Sequence, residues 1–291
     1  MRIAVVTDSA AGFAPEWSAA GGLADGVRVV AMPVLVGHDI LTGEHDDVTA
    51  PLMVALAAGA DVRTSRPSPG QFDRVYRSLA EEGYDGVVSV HLSGQLSGTV
   101  EAARIASSRS VLPIEVIDTR TAGMAQGRAA LAALAAVQRG GDLQTAAAAA
   151  AMAARASALY FYVPSLEQLR RGGRIPAAAG WLGTLLSVRV ILHVHGGRLV
   201  PLERLRSAPK ALQRLEVLAA EAATGPVDVA VAHLEAGARA AALVEGLTGR
   251  LEEQLEGRPV ALVEIGAVLG AHVGPGMVAV VVAPRPPQAG A

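Results

Sequence analysis

Cysteine is absent from this chain of 291 residues, and aromatic residues and lysine are scarce. Without a thiol, the protein can form neither disulfide bonds nor thiolate metal sites. Aromatic residues make up only 3% of the chain, which argues against a stacking platform for nucleic-acid bases. Lys210 is the only lysine among 25 basic residues, and we interpret this bias as a property of the genome rather than of the function.

Strong charge of either sign is also lacking. Basic and acidic residues nearly balance, with a formal net charge of −2. A groove for nucleic acid or a face for an anionic membrane would need an excess of basic residues. We therefore expect a small molecule or another protein as the partner, and no nucleic acid.

The mean hydropathy is high, at +0.37, but the sequence has no apolar run long enough to span a membrane. Residues 260–283 come closest to a membrane span, but they include Glu264, His272 and the helix breaker Gly274-Pro275-Gly276. This segment is predicted to form two buried strands around a turn, without stable membrane insertion. Asp8 follows the N-terminus too soon for a secretory signal, so we expect a cytoplasmic protein.

The first 156 residues alternate between strand and helix patterns, which predicts an α/β domain with a parallel sheet covered on both faces. Strands are expected at residues 3–7, 27–36, 86–90 and 114–117, and Pro33 marks the second as an edge strand or a bulge. Ligands of such sheets bind outside the carboxyl ends of the strands. The polar residues expected along that edge are Asp8, Ser9, Ser93, Ser97 and Asp118.

Residues 157–291 have a different pattern, which predicts a separate α+β domain. Gly196-Gly197 between two apolar runs is a hairpin signal. Strands are expected at residues 227–233, 260–265 and 277–283, and helices at 209–222 and 236–255. The predicted domains are therefore residues 1–156 and 157–291.

Residues 91–99 form the stretch around which the chain is organised. They link an apolar run to an Ala-rich segment through small residues, including Ser97, Gly98 and Thr99. A strand, a turn and a helix N-terminus in this order favour an anionic group, because free N–H groups and the helix dipole point to it. The alternative is ordinary helix capping by Ser97 or Thr99.

Signatures of common catalytic sites are missing. The histidines do not form the H-x-x-x-H spacing of a zinc site, and the sequence has neither a P-loop nor a G-x-S-x-G elbow. Ser97, His272 and Asp118 could form a catalytic trio, but chains of this size commonly offer such sets. His272 precedes a sharp turn, so its ring either points into a crevice or is a buried histidine bonded to backbone.

Six motifs together resemble the DegV family, whose members are bacterial fatty acid-binding proteins. In chain order they are Val5-Val6-Thr7-Asp8-Ser9, Thr64-Ser65-Arg66-Pro67-Ser68, Leu96-Ser97-Gly98-Thr99, Val116-Ile117-Asp118, Gly172-Gly173-Arg174-Ile175 and His272-Val273-Gly274-Pro275-Gly276. Each motif alone is short, whereas six in order over nearly the whole chain are specific.

The resemblance implies an apolar tunnel for one long-chain fatty acid between the two domains. Thr64, Ser97 and His272 match the positions that bind the fatty-acid carboxylate. Arg174 and Arg206 match basic positions that serve docking of a separate fatty acid kinase subunit. That subunit binds ATP and phosphorylates the carboxylate for phospholipid synthesis, so the binding protein itself is neither an enzyme nor the holder of a cofactor.

The chain departs from the family pattern at several positions. Arg66 replaces a usual Gln, Gly94 a frequent Ser, Arg189-Val190 a common Lys-Pro, and Pro176-Ala177 a frequent Ser-Lys. Two alternatives therefore stay open: a lipid carrier or sensor without a kinase, and an enzyme on an acyl substrate with Ser97 as nucleophile and His272 as base. Acyl length, unsaturation and branching depend on packing that the sequence does not specify.

Overall fold

The computed structural model describes residues 1–14, 26–37, 39–41, 48–175 and 189–285. Two main sheets dominate this part of the chain, and a small third sheet lies beside them. The first main sheet uses strands up to Asp118, and the second uses strands from Ala158 onward. The division into domains at residues 156 and 157 stays a prediction.

The first sheet is parallel throughout, as the alternating pattern predicts. In spatial order its strands are β2 (Val27–Val30), β1 (Ile3–Asp8), β6 (Gly86–His91) and β7 (Ile114–Asp118). β1 and β6 are buried along their whole length because helices cover both faces. From β1 the chain passes to β2 on one side of β1, and it later adds β6 and β7 on the other side. A crevice therefore opens at the carboxyl ends of β1 and β6.

The helices of this unit form two layers. On one face, α2 (Pro69–Glu81) and α3 (Thr99–Ser107) pack Phe72, Tyr76 and small alanines against the sheet. On the other face lie α4 (Gly123–Gln138) and α5 (Leu143–Ala156), whose contacts are almost entirely alanine. Alanine has the highest intrinsic helix propensity, but each side chain buries little surface. The alanine stripes instead let the two helices approach the sheet closely.

The second main sheet is mixed. In spatial order its strands are β10 (Arg198–Leu205), β9 (Arg189–His195), β8 (Ala158–Val163), β13 (Val278–Pro284), β11 (Val227–His233) and β12 (Ala261–Glu264). All neighbours are antiparallel except β11 and β12. The β9–β10 hairpin turns at Gly196-Gly197, which confirms the hairpin signal. On the outer face lie α7 (Ala208–Ala222), α8 (Gly237–Arg250) and α9 (Glu252–Leu255), so the single helix predicted for residues 236–255 is interrupted at Leu251.

Two sequence-based assignments were wrong. Residues 27–36 do not form one strand: β2 ends at Val30, and after Pro33 the chain joins a second sheet as β3 (Val34–Val36). Proline cannot donate a ladder hydrogen bond, and here it marks the change of sheet. The strands predicted at residues 260–265 and 277–283 are present as β12 and β13, but the connection between them was wrong, because helix α10 (Ala267–Val273) lies there instead of a turn alone.

The small third sheet brings a remote segment to the crevice. It is antiparallel and contains β4 (Asp39–Leu41), β3 and β5 (Val62–Thr64). Together with α1 (Thr49–Ala57) and α10, it packs around Leu52, Met32 and Val268. The short helix α6 (Glu167–Arg171) follows β8 on the same side. Within the described residues, none of the helices has both the length and the hydropathy needed to cross a bilayer.

Candidate functional site

A cavity lies between the two main sheets, at the carboxyl ends of β1 and β6. It encloses about 1050 Å³ of empty space, counting its open mouth. Leucine, valine, alanine, methionine and glycine form most of its wall, together with Phe161. The polar side chains that line it are Ser9, Thr64, Ser97, Arg174 and His272. Such a cavity accepts an apolar molecule with one polar end.

Thr64 and His272 form the centre of the polar end. Thr64 ends β5 and His272 lies on α10, 208 positions later, yet Thr64 Oγ1 and His272 Nε2 are 2.7 Å apart. Burial and, to a smaller extent, the positive charge of Arg174 together lower the pKa of His272 to about 4. At neutral pH the ring is therefore uncharged, and its two nitrogens supply one donor and one acceptor.

Gly172 has no side chain, and this leaves the space that the ring of His272 occupies. A Cβ at Gly172 would lie 2.6 Å from His272 Nδ1, closer than any carbon–nitrogen contact allows. The backbone of Gly172 is ordinary helical, with φ of −70°, so the requirement is steric rather than conformational. Sequence reasoning identified the Gly172-Gly173 turn but not this contact.

Ser97 reaches the cavity from the turn before α3. Its Oγ lies 2.8 Å from Thr99 Oγ1, and Thr99 is fully buried. Gly98 is the N-cap of α3, and no side chain caps this end. The helix-capping alternative for Ser97 and Thr99 is therefore wrong, and the Ser97 hydroxyl lies at the cavity wall.

Arg174 lies beside this cluster rather than on the open surface. Its Nε donates to the carbonyl of Leu96 over 3.1 Å, and a terminal nitrogen donates to the carbonyl of Gly172. In the described part of the chain it forms no ion pair, and burial lowers the pKa of its guanidinium. A partly buried cation without a counter-charge favours an anionic ligand at this end of the cavity.

Arg206, the other predicted docking residue, is in a different place. It is exposed between β10 and α7 and does not line the cavity. The structure thus brings Thr64, Ser97, Arg174 and His272 together and leaves Arg206 apart. Pro176 and Ala177, which depart from the family pattern, lie outside the described residues.

The structure does not assemble the trio of Ser97, His272 and Asp118. His272 Nε2 forms its hydrogen bond with Thr64 Oγ1, and Ser97 Oγ forms its hydrogen bond with Thr99 Oγ1. Asp118 Oδ1 accepts backbone N–H groups of Gly94 and Arg120, at 3.1 and 2.9 Å. No group of three or more potential metal ligands occurs among the residues that the structure describes.

A buried polar chain beneath the cavity was missed by sequence reasoning. His91 Nδ1 lies 2.9 Å from Asp8 Oδ2, and His91 Nε2 lies 2.7 Å from Ser89 Oγ. Ser89 Oγ is in turn 2.8 Å from the hydroxyl of Tyr76. The order of groups resembles a catalytic triad, but Ser89 has no exposed surface and does not line the cavity. A signal was present, since Ser89 and His91 alternate with valines in a buried strand.

This chain of polar groups positions the cavity walls. Asp8 also accepts the N–H groups of Ala10 and Leu92, both at 3.1 Å. Ala10 and Leu92 line the cavity from the loops after β1 and β6. One buried carboxylate therefore ties together the two loops of the crevice.

Comparisons with known proteins agree with this architecture. The DegV family model, described as "Uncharacterised protein, DegV family", matches residues 2–285. A DegV domain-containing protein of Streptomyces coelicolor is 44% identical, over 98% of this chain and 99% of its own.

Two solved structures show the same fold over nearly the whole length. One, described as fatty acid binding of a DegV family protein from Thermus thermophilus, is 33% identical with a TM-score of 0.85, over 98% of this chain and 100% of its own. The other is the fatty acid kinase B3 protein of Streptococcus pneumoniae, loaded with linoleic acid. It is 17% identical with a TM-score of 0.83, over 97% of this chain and 99% of its own. The second likeness concerns the fold alone. Because the family model spans almost the complete chain and the Streptomyces relative matches it end to end, this protein belongs to the DegV family.

Proposed function

We propose that this protein binds one long-chain fatty acid, with the acyl chain in the cavity and the carboxylate at Thr64, Ser97, Arg174 and His272. The observation that carries the proposal is an apolar cavity whose few polar groups include the guanidinium of Arg174, which forms no ion pair with any described residue. A relative that is 33% identical is described as fatty acid-binding, which supports the same ligand class.

The energetics fit such a ligand. Each buried methylene contributes roughly 0.8 kcal/mol, so a long chain supplies on the order of 10 kcal/mol before the costs of association. A carboxylate in this setting needs hydrogen bonds and a counter-charge. Arg174 supplies the charge, and the hydroxyl of Ser97 supplies one donor. The Thr64–His272 pair supplies another, because their mutual hydrogen bond uses one of the two protons that they hold. Few polar side chains are needed because the head group orients the ligand while the chain provides the affinity.

We further propose that the bound carboxylate is presented to a separate kinase subunit, which transfers phosphate from ATP for phospholipid synthesis. A second, polar cleft supports this step. Thr64, Arg174 and His272 line both the cavity and this cleft. The cleft also includes Arg63, which pairs with Asp61, and Arg171, which pairs with Glu167. A phosphate donor could therefore reach the head group from outside without disturbing the acyl chain.

Identification of the ligand is the first test. The purified protein is denatured and extracted, and the organic acids released are identified and quantified by mass spectrometry. One equivalent of a long-chain fatty acid is expected. A protein that is empty after purification and also fails to bind added fatty acids would contradict the proposal.

The head-group assignment is tested with Thr64→Val, Ser97→Ala and His272→Asn. Each loses a hydrogen bond to a charged group, worth about 1.5–3 kcal/mol, so affinity for fatty acid should fall about tenfold or more. Ser65→Ala is the matched control, because Ser65 is exposed beside Thr64 and does not line the cavity. Wild-type affinity in all three variants would contradict the assignment.

The kinase step is tested by trapping acyl phosphate with hydroxylamine. Fatty acid-loaded protein with ATP alone should give no hydroxamate, and addition of the kinase subunit from the same cell should give it. Hydroxamate with ATP alone would make the chain itself the enzyme. No hydroxamate in either reaction would favour the carrier or sensor.

A further inference from the structure

We propose that Leu159 and Val194 form a thin partition that stops the methyl end of the acyl chain and so limits its length. The proposal rests on the proposed function, because it assigns the end of the same cavity. It concerns residues that lie away from Thr64, Arg174 and His272, since the clefts at the two places share no described lining residue.

The strand register places these residues far from the head group. Tyr160 pairs with His193, so the antiparallel register of β8 and β9 sets Leu159 opposite Val194. Leu159 also pairs with Val281, and Val194 with Leu199. The four side chains therefore form one row across the sheet, and all four line the cavity.

Two of the head-group residues, Arg174 and His272, lie toward the other end of β8 and β13. β8 ends at Val163 and leads through α6 to Arg174, whereas Leu159 lies at its start. His272 on α10 leads through a short turn to Met277, which precedes β13, whereas Val281 lies four residues further on. Four residues of extended chain span roughly 13 Å. The row of Leu159 and Val194 is thus the distal wall of the cavity.

Beyond this wall lies a separate, polar cleft. Among the described residues, Leu159 and Val194 alone line both the cavity and the cleft. On the opposite side, Thr121 lines the cleft and its neighbour Ala122 lines the cavity. The barrier is therefore one side chain thick.

The cleft is unsuitable for a methyl end. Its wall includes Arg120, Arg155, Tyr160 and His193, and it opens to solvent. Methylene groups that enter it would stay in contact with water and charged groups, so they would add no affinity. Affinity should increase with chain length only until the methyl end meets Leu159 and Val194.

The partition is tested with Leu159→Ala and Val194→Ala against a homologous series of straight-chain saturated fatty acids. In the wild-type protein, affinity should rise by up to about fourfold per methylene and then fall sharply at a limiting length. Either variant should abolish that fall, because the chain end can pass into the cleft. Both side chains are partly exposed, so their truncation should leave the fold intact.

Val281→Ala is the matched control, since Val281 belongs to the same row and lines the cavity but not the cleft. It should keep a sharp limit, shifted by no more than about one methylene. An unchanged limit in the folded Leu159 and Val194 variants, or the same small shift in all three, would overturn the partition while fatty acid binding stands. Absence of binding at every length in the wild-type protein would overturn both proposals.

Discussion

His272 is buried at the polar end of the cavity, where we propose that it contacts the carboxylate, and its charge state follows from its surroundings. Desolvation and the positive charge of Arg174 both disfavour the imidazolium. A neutral ring hydrogen bonds to Thr64 and leaves the positive charge at Arg174 as the counterpart of a carboxylate. Protonation would add a second cation to a partly buried site that, among the described residues, has no acidic side chain in its lining.

We predict that this histidine makes the ligand-free protein less stable in acid. Its pKa is about 4 in the folded state against an ordinary value of 6.5, so the unfolded chain binds more protons as the pH falls through that interval. The free energy of unfolding should therefore fall between pH 6.5 and 4, by about 2 kcal/mol from this group. Urea unfolding at pH 7 and pH 4.5 measures the change.

His272→Asn should remove this part of the pH dependence. His195→Asn is the control, because His195 is exposed on β9 and does not line the cavity. It should keep the wild-type slope. Parallel pH profiles for the wild-type protein and His272→Asn would contradict the prediction.

At the scale of elements, the β9–β10 hairpin joins the two main sheets. Ser93 Oγ in the loop after β6 donates to the carbonyl of Gly197 over 2.6 Å. Arg120 Nη2 donates to the carbonyl of Gly196 over 3.0 Å. The hairpin turn therefore docks onto loops at the carboxyl edge of the parallel sheet, and in doing so it forms one wall of the polar cleft.

We predict that Gly197→Ala destabilises the protein more than Gly196→Ala. Both glycines have positive φ, 86° and 59°, so alanine costs about 1 kcal/mol at each. A Cβ at Gly197 would also lie 2.6 Å from Ser93 Oγ, whereas one at Gly196 meets open space. Urea unfolding should show that Gly197→Ala lowers the free energy of unfolding by about 1 kcal/mol or more beyond the loss in Gly196→Ala. Equal losses of unfolding free energy in the two variants would mean that Ser93 moves away from the added Cβ without a measurable energetic cost.

At the scale of the whole molecule, an ion pair links the two sheet units behind the cavity. Arg128 on α4 pairs with Asp228 on β11 over 3.1 Å, and Arg258 binds the other carboxylate oxygen at 3.1 Å. The Asp228 side chain is only 7% exposed and that of Arg128 16%. Such a pair keeps α4 and β11 in a fixed relative position, because either charge would be poorly solvated if its partner moved away.

We predict that Asp228→Asn lowers the free energy of unfolding by about 3 kcal/mol, since it leaves the Arg128 charge without its counter-charge. The matched control is Asp73→Asn, which breaks an exposed pair with Arg77 on helix α2. That change should cost less than about 1 kcal/mol. Chemical denaturation of both variants measures the difference, and losses of similar size would show that burial does not strengthen the first pair.

Much of the fold could be predicted from periodicity and turn residues. Residues 3–8, 86–91 and 114–118 are short apolar runs between helical segments, which is typical of buried parallel strands. The helix at residues 143–156 was predicted with the observed limits. The two errors have local causes. Val34–Val36 is rich in valine like Val27–Val30 but joins another sheet, and the apolar run of α10 is too short to distinguish helix from strand.

The sequence by itself determined the fold class, the family and the set of residue types at the head group, because motifs and hydrophobic periods are local and keep their order along the chain. Only the tertiary structure decided that Arg174 lies at the cavity while Arg206 lies apart from it, that Gly172 makes room for His272, and that Leu159 and Val194 separate cavity from cleft. These relations join residues about 30 to 100 positions apart. They depend on strand register and on the packing of two sheets, which no local pattern encodes.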